Sequence, residues 1–228
     1  MNVVVTGASR GIGRSIAEHF AAEGAHLFLC SRNMDARAKW QQALMENYPI
    51  NITAFNADLG KESEAKKFGD QLLKATNQID VLVNNTGIYE PGSIYNEAEG
   101  QLEHMLNVNL MSAYPLTRRL VSSMIKQGSG HIFNICSIAA IKAYPNGGSY
   151  SISKWALAGF SKNLREEMKE FNIKVTTVHP GAVYTSSWEG SGVDPKRIME
   201  VEDIAKMIVA ASKLSPQACV EEILIRPQ

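Results

Sequence analysis

Short apolar runs of strand length alternate with helical patterns along this chain of 228 residues, and that alternation restricts the possible fold more than any other feature. Strand-like runs occupy residues 3–6, 25–30, 50–55, 79–83, 131–136, 174–179 and 220–226. Helical spacing of apolar residues covers 12–23, 35–47, 61–75, 102–126, 151–171 and 202–214. Because alternating strands and helices form parallel sheets with right-handed crossovers, we predict an α/β fold. It should hold one doubly wound parallel sheet of about seven strands with helices on both faces, in a single domain over residues 1–228.

Charge and composition exclude several classes of protein. The chain has 23 Lys and Arg against 23 Asp and Glu, so it lacks the basic footprint of a nucleic-acid binder. No apolar run approaches the ~20 residues that a membrane helix needs. The three cysteines (Cys30, Cys136 and Cys219) are scattered among apolar neighbours and are predicted to be core residues, and the histidines do not cluster, so we expect no metal. The first strand leads directly into a glycine turn, with no room for a signal peptide, so we expect a cytoplasmic protein.

A glycine-rich turn follows the first predicted strand. Its sequence is Thr6-Gly7-Ala8-Ser9-Arg10-Gly11-Ile12-Gly13, and it stands between the strand at 3–6 and the helix at 12–23. Gly7 would allow a tight turn, Gly11 would let the backbone approach a pyrophosphate, and Gly13 would let helix and strand pack closely. The free amides and dipole of the helix start favour an anion. The turn therefore predicts a Rossmann-type dinucleotide site.

The pattern Thr-Gly-x-x-x-Gly-Ile-Gly resembles the short-chain dehydrogenase/reductase family, and the resemblance extends over essentially the whole chain. Further motifs follow in the order in which the family has them: Asp58-Leu59, Asn84-Asn85-Thr86-Gly87, Asn109, Ser137, Tyr150-Ser151-Ile152-Ser153-Lys154 and Pro180-Gly181-Ala182-Val183-Tyr184-Thr185. In the second of these motifs, Thr86 stands where the family usually has alanine. The resemblance implies an oxidoreductase that transfers hydride between a nicotinamide cofactor and a carbonyl or alcohol.

The predicted catalytic residues are Asn109, Ser137, Tyr150 and Lys154. Tyr150 and Lys154 stand one helical turn apart, so they share a helix face. A phenol has a pKa near ~10, and an ammonium held beside it should lower that value. Tyr150 can then give a proton to a carbonyl oxygen as hydride arrives. The resemblance implies that Ser137 orients the substrate oxygen, that Lys154 also holds the nicotinamide ribose, and that Asn109 orders a water linking Lys154 to solvent.

The residues after the second strand predict the cofactor. They are Ser31-Arg32-Asn33, with no acid to bind a ribose 2′-hydroxyl. Arg32 and Arg10 can instead pair with a 2′-phosphate, and both positions resemble the NADP-preferring members. We therefore predict NADP(H). The full predicted cofactor set is Gly7, Ser9, Arg10, Gly11, Ile12, Gly13, Ser31, Arg32, Asp58, Leu59, Asn85, Thr86, Gly87, Tyr150, Lys154, Pro180, Gly181, Val183 and Thr185.

The predicted substrate pocket is mostly apolar or aromatic, which suits an uncharged small-molecule carbonyl. A substrate loop is expected at 181–200. These side chains could equally form a hydrophobic lid that only covers the nicotinamide. The candidate lining residues are Ile88, Tyr89, Ser137, Ile138, Tyr144, Tyr184, Trp188 and Met199.

The C-terminal tail indicates which members of the family are most similar, and two of the helices indicate self-association. The tail lacks the Asn/Asp-Gly-Gly ending common in 3-oxoacyl-[acyl-carrier-protein] reductases, and it is more similar to bacterial sepiapterin-reductase-like and carbonyl reductase members. An acyl-carrier reductase stays open as an alternative, with Arg118, Arg119 and Lys126 as a patch for an acidic carrier. A non-catalytic NADP(H)-binding sensor is the other alternative. The helices at 102–126 and 151–171 carry apolar residues on more than one face, and the resemblance implies that they pair in a homodimer or homotetramer.

Overall fold

A computed structural model describes residues 1–185, 188 and 192–228. The strands are β1 (Asn2–Thr6), β2 (His26–Ser31), β3 (Ile52–Asn56), β4 (Val81–Asn84), β5 (Gly130–Ile135), β6 (Ile173–Pro180) and β7 (Glu222–Ile225). In this described part of the chain they form one 7-stranded sheet, in the order β3-β2-β1-β4-β5-β6-β7. Every neighbouring pair is parallel, which confirms the predicted doubly wound sheet.

Helices cover both faces of this sheet. They are α1 (Gly11–Ala22), α2 (Ala38–Asn47), α3 (Glu62–Ala75), α4 (Gln101–Asn109), α5 (Tyr114–Gln127), α6 (Gly148–Met168) and α7 (Val201–Ser212). Alternate residues of β1 point to opposite faces. Val3 and Val5 pack in the core under α1 and α7, whereas Val4 packs in the core under α3, α5 and α6. Phe20 and Phe68, one in each core, are fully buried, and each contributes about 2–3 kcal/mol by leaving water.

The helix predicted at 102–126 is wrong as a single element. It is two helices, α4 and α5, separated by a turn at 110–113. Pro115 stands in the first turn of α5 and explains the break. Proline has no amide hydrogen and its ring collides with the carbonyl one turn earlier, so a continuous helix cannot pass through it, while the start of a helix accepts it. The break leaves Asn109 at the last position of α4.

A second predicted helix, at 35–47, begins as a short 3₁₀ turn over Asp35–Arg37 before α2. The cysteine prediction holds for Cys30 and Cys136, which are buried, and is wrong for Cys219, which is exposed in the loop ahead of β7. No helix within the described residues is long and apolar enough to cross a membrane. The same residues hold no group of three or more His, Cys, Asp or Glu that could bind a metal.

The strand order reverses between β1 and β4, and this switch point positions the site. The chain runs outward from β1 to β2 and β3, then returns so that β4 pairs with the other edge of β1. The two connections leave in opposite directions, and a crevice opens between them at the carboxyl ends of these strands. The glycine turn after β1 and the Asn-Asn-Thr-Gly segment after β4 border this crevice.

Candidate active site

The glycine turn after β1 is fastened to the segment that follows β4. The Thr6 hydroxyl accepts hydrogen bonds from the amides of Asn85 and Thr86, at 2.9 and 3.1 Å. The Asn85 side-chain amide donates to the carbonyls of Thr6 and Gly7, at 3.0 and 3.2 Å. Gly7 has φ +64, and a β-carbon there would lie 2.9 Å from Asn85 Nδ2. Asn85, predicted only as a cofactor contact, therefore shapes the turn, a role that the sequence did not indicate.

The start of α1 is suited to an anion. Its N-cap residue is Arg10, whose side chain makes no capping hydrogen bond to the first amides of the helix. A β-carbon on Gly13 would lie 2.5 Å from the carbonyl oxygen of Gly7, so helix and turn pack at backbone distance, as predicted. Ser9 and Ile12 are partly exposed beside this start. The amides at the helix start and the positive end of the helix dipole together suit the pyrophosphate of a dinucleotide.

The two arginines predicted to read a 2′-phosphate lie at neighbouring strand ends. The amide of Ala8, in the glycine turn, donates to Cys30 O at 3.2 Å and joins the ends of β1 and β2. Arg10 and Arg32 are both exposed there, whereas Ser31 is buried. Arg10 and Arg32 thus follow two neighbouring strands at the carboxyl edge of the sheet, and we call these two residues the cationic rim.

The predicted pair Asp58-Leu59 lies after β3. The Asp58 carboxylate accepts a hydrogen bond from Gly60 N at 3.2 Å, and its other oxygen lies 3.9 Å from Lys61 Nζ. Leu59 is buried in the hydrophobic core under α3. A contact from Leu59 to a cofactor would therefore come from its backbone, since its side chain faces inward.

Lys154 and Tyr150 share one face of α6, as predicted. The Lys154 ammonium is buried, donates to Ile135 O at 3.0 Å and lies 5.9 Å from the centroid of the Tyr150 ring. Burial lowers the pKa of Lys154, because water that would stabilise the charge is excluded. Gly87 lies beside the ammonium, since a β-carbon there would stand 3.3 Å from Lys154 Nζ.

Ser137 and the Tyr150 hydroxyl lie together at the end of β5. Ser137 is buried, and its Oγ accepts from the amide of Ala139 at 3.1 Å, which fixes the hydroxyl in place. Burial raises the pKa of Tyr150, and a hydrogen bond with Ser137 opposes that rise only in part. The expected net lowering of the pKa of Tyr150 is therefore wrong for this arrangement, because burial outweighs the hydrogen bond with Ser137. The phenol is protonated at neutral pH, which is the state of a proton donor.

Asn109 links the segment after β4 to α6. Its Oδ1 accepts from Ile88 N at 2.8 Å, while its Nδ2 donates to Ile88 O at 3.1 Å and to Ser153 Oγ at 2.9 Å. The residue is fully buried. Its side chain is thus occupied in holding Ile88 in place, and its expected part in ordering a water stays a prediction.

Three tyrosine rings meet beside Ser137. The Tyr89 and Tyr150 rings are 4.8 Å apart, and Tyr144 makes a side-chain hydrogen bond with Tyr89. Partial burial raises the pKa of Tyr144 to about 12. Ile138 begins a short 3₁₀ turn directly after Ser137. Of the predicted lining residues, Tyr89 and Tyr144 therefore do come together beside Tyr150, and we call these three rings the aromatic wall.

The predicted substrate loop at 181–200 is described only in part, because residues 186, 187 and 189–191 lie outside the described ones. Val183 forms a parallel bridge with Met199, and both side chains are buried in the core. Met199, expected as a lining residue, is therefore a packing residue. The Thr185 methyl lies 3.4 Å from a β-carbon built on Gly11, so the loop returns to the glycine turn.

Three more predicted site residues of this loop, Gly181, Tyr184 and Trp188, are described. Gly181 follows the last residue of β6, Pro180, and its amide donates to Ile225 O at 2.7 Å. Tyr184 is exposed. The Trp188 amide donates to Thr185 O at 2.9 Å.

His179, the histidine nearest the site, lies behind Ser137. It is buried, and its Nδ1 is 3.1 Å from Ser137 O. Burial lowers the pKa of His179. The imidazole thus packs against the backbone of Ser137 inside the fold.

Comparison with known proteins gives the class. The family model described as short chain dehydrogenase matches residues 1–195. Sepiapterin reductase of Chlorobaculum tepidum is 33% identical over 233 residues, covering 99% of this chain and 95% of that protein. The chain belongs to the short-chain dehydrogenase/reductase family, as the motifs indicated.

Two solved structures extend the likeness to the fold. An alcohol dehydrogenase from Thermococcus sibiricus, complexed with 5-hydroxy-NADP, is similar with a TM-score of 0.91 and 26% identity, covering 99% of this chain and 96% of that one. L-sorbose reductase from Gluconobacter frateurii, complexed with NADPH and L-sorbose, has a TM-score of 0.91 and 27% identity, covering 98% and 94%. Both are oxidoreductases solved with an NADP-type cofactor.

Proposed function

We propose that this oxidoreductase reduces a carbonyl compound to an alcohol with NADPH, and that Tyr150 is its proton donor. The observation that carries the proposal is the meeting of a protonated phenol, the fixed Ser137 hydroxyl and the buried Lys154 ammonium at the mouth of the crevice. The two hydroxyl groups can donate hydrogen bonds to a carbonyl oxygen, and the ammonium lies behind them. Such an arrangement stabilises the negative charge that the oxygen gains during reduction.

Each residue then has one task. Ser137 hydrogen-bonds the carbonyl oxygen and orients it toward Tyr150. Tyr150 gives its proton to that oxygen while the carbonyl carbon is reduced. Lys154 holds the ribose hydroxyls and stabilises the phenolate that remains. The cofactor, when bound, supplies the hydride.

The preference for NADPH rests on Arg10 and Arg32. Both side chains are exposed after adjoining strands, where guanidinium groups can pair with a phosphate dianion. Solved relatives that carry NADPH or an NADP derivative support the same assignment. The cofactor would bind along the turn after β1, the start of α1 and this cationic rim.

A small uncharged carbonyl fits the site better than an acyl-carrier substrate. The aromatic wall of Tyr89, Tyr144 and Tyr150 has no formal charge. The candidate patch for a carrier lies on α5, and there Arg119 pairs with Asp70 of α3. Arg118 lies over the ring of Tyr114, 5.6 Å from its centroid. Arg118 and Arg119, two of the three cations of that patch, are thus already paired within this chain.

Self-association is the second part of the proposal. On α5 and α6 the apolar side chains of Tyr114, Ile152 and Trp155 are 38%, 41% and 52% exposed. A β-carbon on Gly159 would meet no described atom within 4 Å. Exposed apolar side chains and an open glycine on these helices suit helix-to-helix packing, so we expect a homodimer or homotetramer.

The test is NADPH and NADH oxidation over a panel of carbonyl compounds. The panel holds an aromatic diketone, a pterin ketone, simple aldehydes, a hexulose and a 3-oxoacyl thioester. Turnover of an uncharged carbonyl with NADPH, and at least ten-fold slower turnover with NADH, supports the proposal. Turnover of the thioester alone would instead indicate a 3-oxoacyl-[acyl-carrier-protein] reductase. Tight NADPH binding with no turnover of any compound would favour a sensor.

A further inference from the structure

A long-range contact fixes the start of the helix that carries Tyr150. Helix α6 begins at Gly148, directly ahead of Ser149 and Tyr150, and the first amides of any helix need acceptors from outside it. Its N-cap is Gly147, which has no side chain to offer. Glu97, from the loop between β4 and α4, supplies the acceptor: its Oε1 takes the Ser149 amide at 2.8 Å, and its Oε2 takes the Ser149 hydroxyl.

Charge and burial strengthen this contact. A carboxylate at a helix N-terminus interacts favourably with the positive end of the dipole. Hydrogen bonds to a carboxylate are stronger than neutral ones, and Ser149 is only 2% exposed, so water competes poorly for its donors. Glu97 therefore replaces the local side-chain cap that the sequence of α6 lacks.

Neighbouring contacts fasten the same two segments. The amide of Gly92 donates to Asn146 O at 3.2 Å, and Ser93 Oγ donates to Asn146 Oδ1 at 2.6 Å. Gly148 has φ +29, and a β-carbon on it would stand 2.5 Å from Gly92 O and overlap the Glu97 carboxylate. Only glycine at 148 lets the carboxylate approach. Several contacts thus join residues 92–97 to residues 146–149.

We propose that Glu97 is a positioning residue that acts through Ser149 to hold Tyr150 in its reactive place. The loop that bears Glu97 also bears Tyr89, whose ring contacts the Tyr150 ring. One loop thus fixes both the backbone just before Tyr150 and the ring of Tyr150. The inference rests on the proposed function, because it concerns the proton donor of that reaction. Displacement of a reacting group by about 1 Å can slow a reaction about 10²-fold.

The test compares Glu97→Ala and Glu97→Gln with a matched control, Glu99→Ala. The glutamine side chain can accept from the Ser149 amide and donate to its hydroxyl, so Glu97→Gln preserves the geometry without the charge. Glu99 lies exposed in the same loop and makes no polar contact with the described residues. Turnover is measured with phenanthrenequinone and NADPH, and NADPH affinity is measured by fluorescence. Hydrogen exchange is measured on peptides from the start of α6.

We expect Glu97→Ala to lower kcat about 10-fold with NADPH affinity within about two-fold of wild type, and to speed amide exchange at the first residues of α6. Glu97→Gln should restore kcat to within about three-fold, and Glu99→Ala should match wild type in every readout. A Glu97→Ala variant with wild-type kcat and wild-type exchange would overturn the proposal. So would a loss of kcat that Glu97→Gln shares in full.

The role of Glu97 can be tested even if Glu97→Ala does not fold or the wild type does not reduce the quinone. If Glu97→Ala does not fold, Ser149→Ala removes only the hydroxyl contact and should give a smaller loss of kcat with faster exchange at the same amides; unchanged exchange there would overturn the proposal. If the wild type does not reduce the quinone, the proposed function has failed for that compound, while the exchange arm still decides whether Glu97 holds the start of α6.

Discussion

The ring of Tyr89 stands nearly perpendicular to the ring of Tyr150, with centroids 4.8 Å apart and planes at 81°. Edge-to-face pairs of this kind contribute about 0.5–1.5 kcal/mol beyond the area that they bury. Tyr89 comes from the loop after β4 and Tyr150 from α6, so the contact joins that loop to the proposed proton donor. The contact makes Tyr89 a support for the ring of Tyr150.

Replacing Tyr89 by alanine should therefore impair turnover more than replacing it by phenylalanine. Tyr89→Phe keeps the ring contact with Tyr150 and loses only the hydrogen bond to Tyr144, so kcat/KM should fall about two-fold or less. Tyr89→Ala removes the ring, and kcat/KM should fall about 10-fold. Steady-state kinetics on a single carbonyl checks both values. Tyr95→Ala, at a ring that is 88% exposed, is the control that should behave as wild type.

The raised pKa of Tyr150 predicts opposite pH profiles for the two directions. Carbonyl reduction needs the protonated phenol, so its kcat should stay level through neutral pH and decline only in strongly alkaline buffer. Alcohol oxidation needs the phenolate, so its kcat should rise with pH over the whole neutral to alkaline range. Initial rates in both directions across that range test this expectation. A reduction rate that falls already near neutral pH would mean that the phenol ionises more easily than its burial implies.

Removing either arginine of the cationic rim should weaken NADPH and spare NADH. A hydrogen-bonded charge is worth about 1.5–3 kcal/mol, so Arg10→Ala or Arg32→Ala should raise the Kd for NADPH about 10- to 100-fold. The Kd for NADH should change less than about two-fold, because NADH lacks the 2′-phosphate. Titration of cofactor fluorescence gives both constants. Arg37→Ala, an exposed arginine in the 3₁₀ turn after β2, serves as the control for loss of charge.

His131 should make the fold sensitive to acid. Burial lowers the pKa of His131 to about 3, while its Nε2 lies 2.7 Å from Thr176 Oγ1 and its ring stacks on Phe133. The unfolded chain takes up a proton near pH ~6.5 and the folded chain does not, so stability is complete at neutral pH and is lost as pH falls below ~6.5. This one group should cost about 2 kcal/mol of unfolding free energy between about pH 7 and pH 5.

The measurement for that prediction is urea unfolding of wild type and His131→Gln at both pH values. Glutamine can donate to Thr176 as the imidazole does, and it does not titrate. The wild type should lose about 2 kcal/mol more than the variant on acidification. Equal losses of unfolding free energy in the two proteins would show that His131 does not cause the acid sensitivity.

Much of the fold can be predicted because each part of it follows from local patterns. Strand-length runs such as 131–136 and the glycine turn at 6–13 specify element type and order, and parallel sheet order then follows from crossover handedness. The break ahead of Pro115 is hidden in the pattern because apolar spacing runs on through 102–126, and the proline is the one signal that marks it. Tyr150 and Lys154 are found because one helical turn relates them within a single motif.

The remainder of the site depends on contacts between distant segments. Asn85 holding the glycine turn and Glu97 capping α6 each join residues that are far apart in sequence, and no local pattern marks either pair. The shift in the pKa of Tyr150 is predicted in the wrong direction for a similar reason. A neighbouring lysine is visible in the sequence, whereas the depth at which the phenol is buried is a property of the whole fold.

The central claim, that Tyr150 delivers the proton during NADPH-dependent carbonyl reduction, is tested most directly by Tyr150→Phe. This variant keeps the ring, and with it the contact to Tyr89, and removes only the hydroxyl. We predict that its kcat for a carbonyl reduced by the wild type falls about 10²- to 10⁴-fold while the Kd for NADPH stays within about two-fold. A Tyr150→Phe enzyme that retains most of the wild-type kcat would contradict the account.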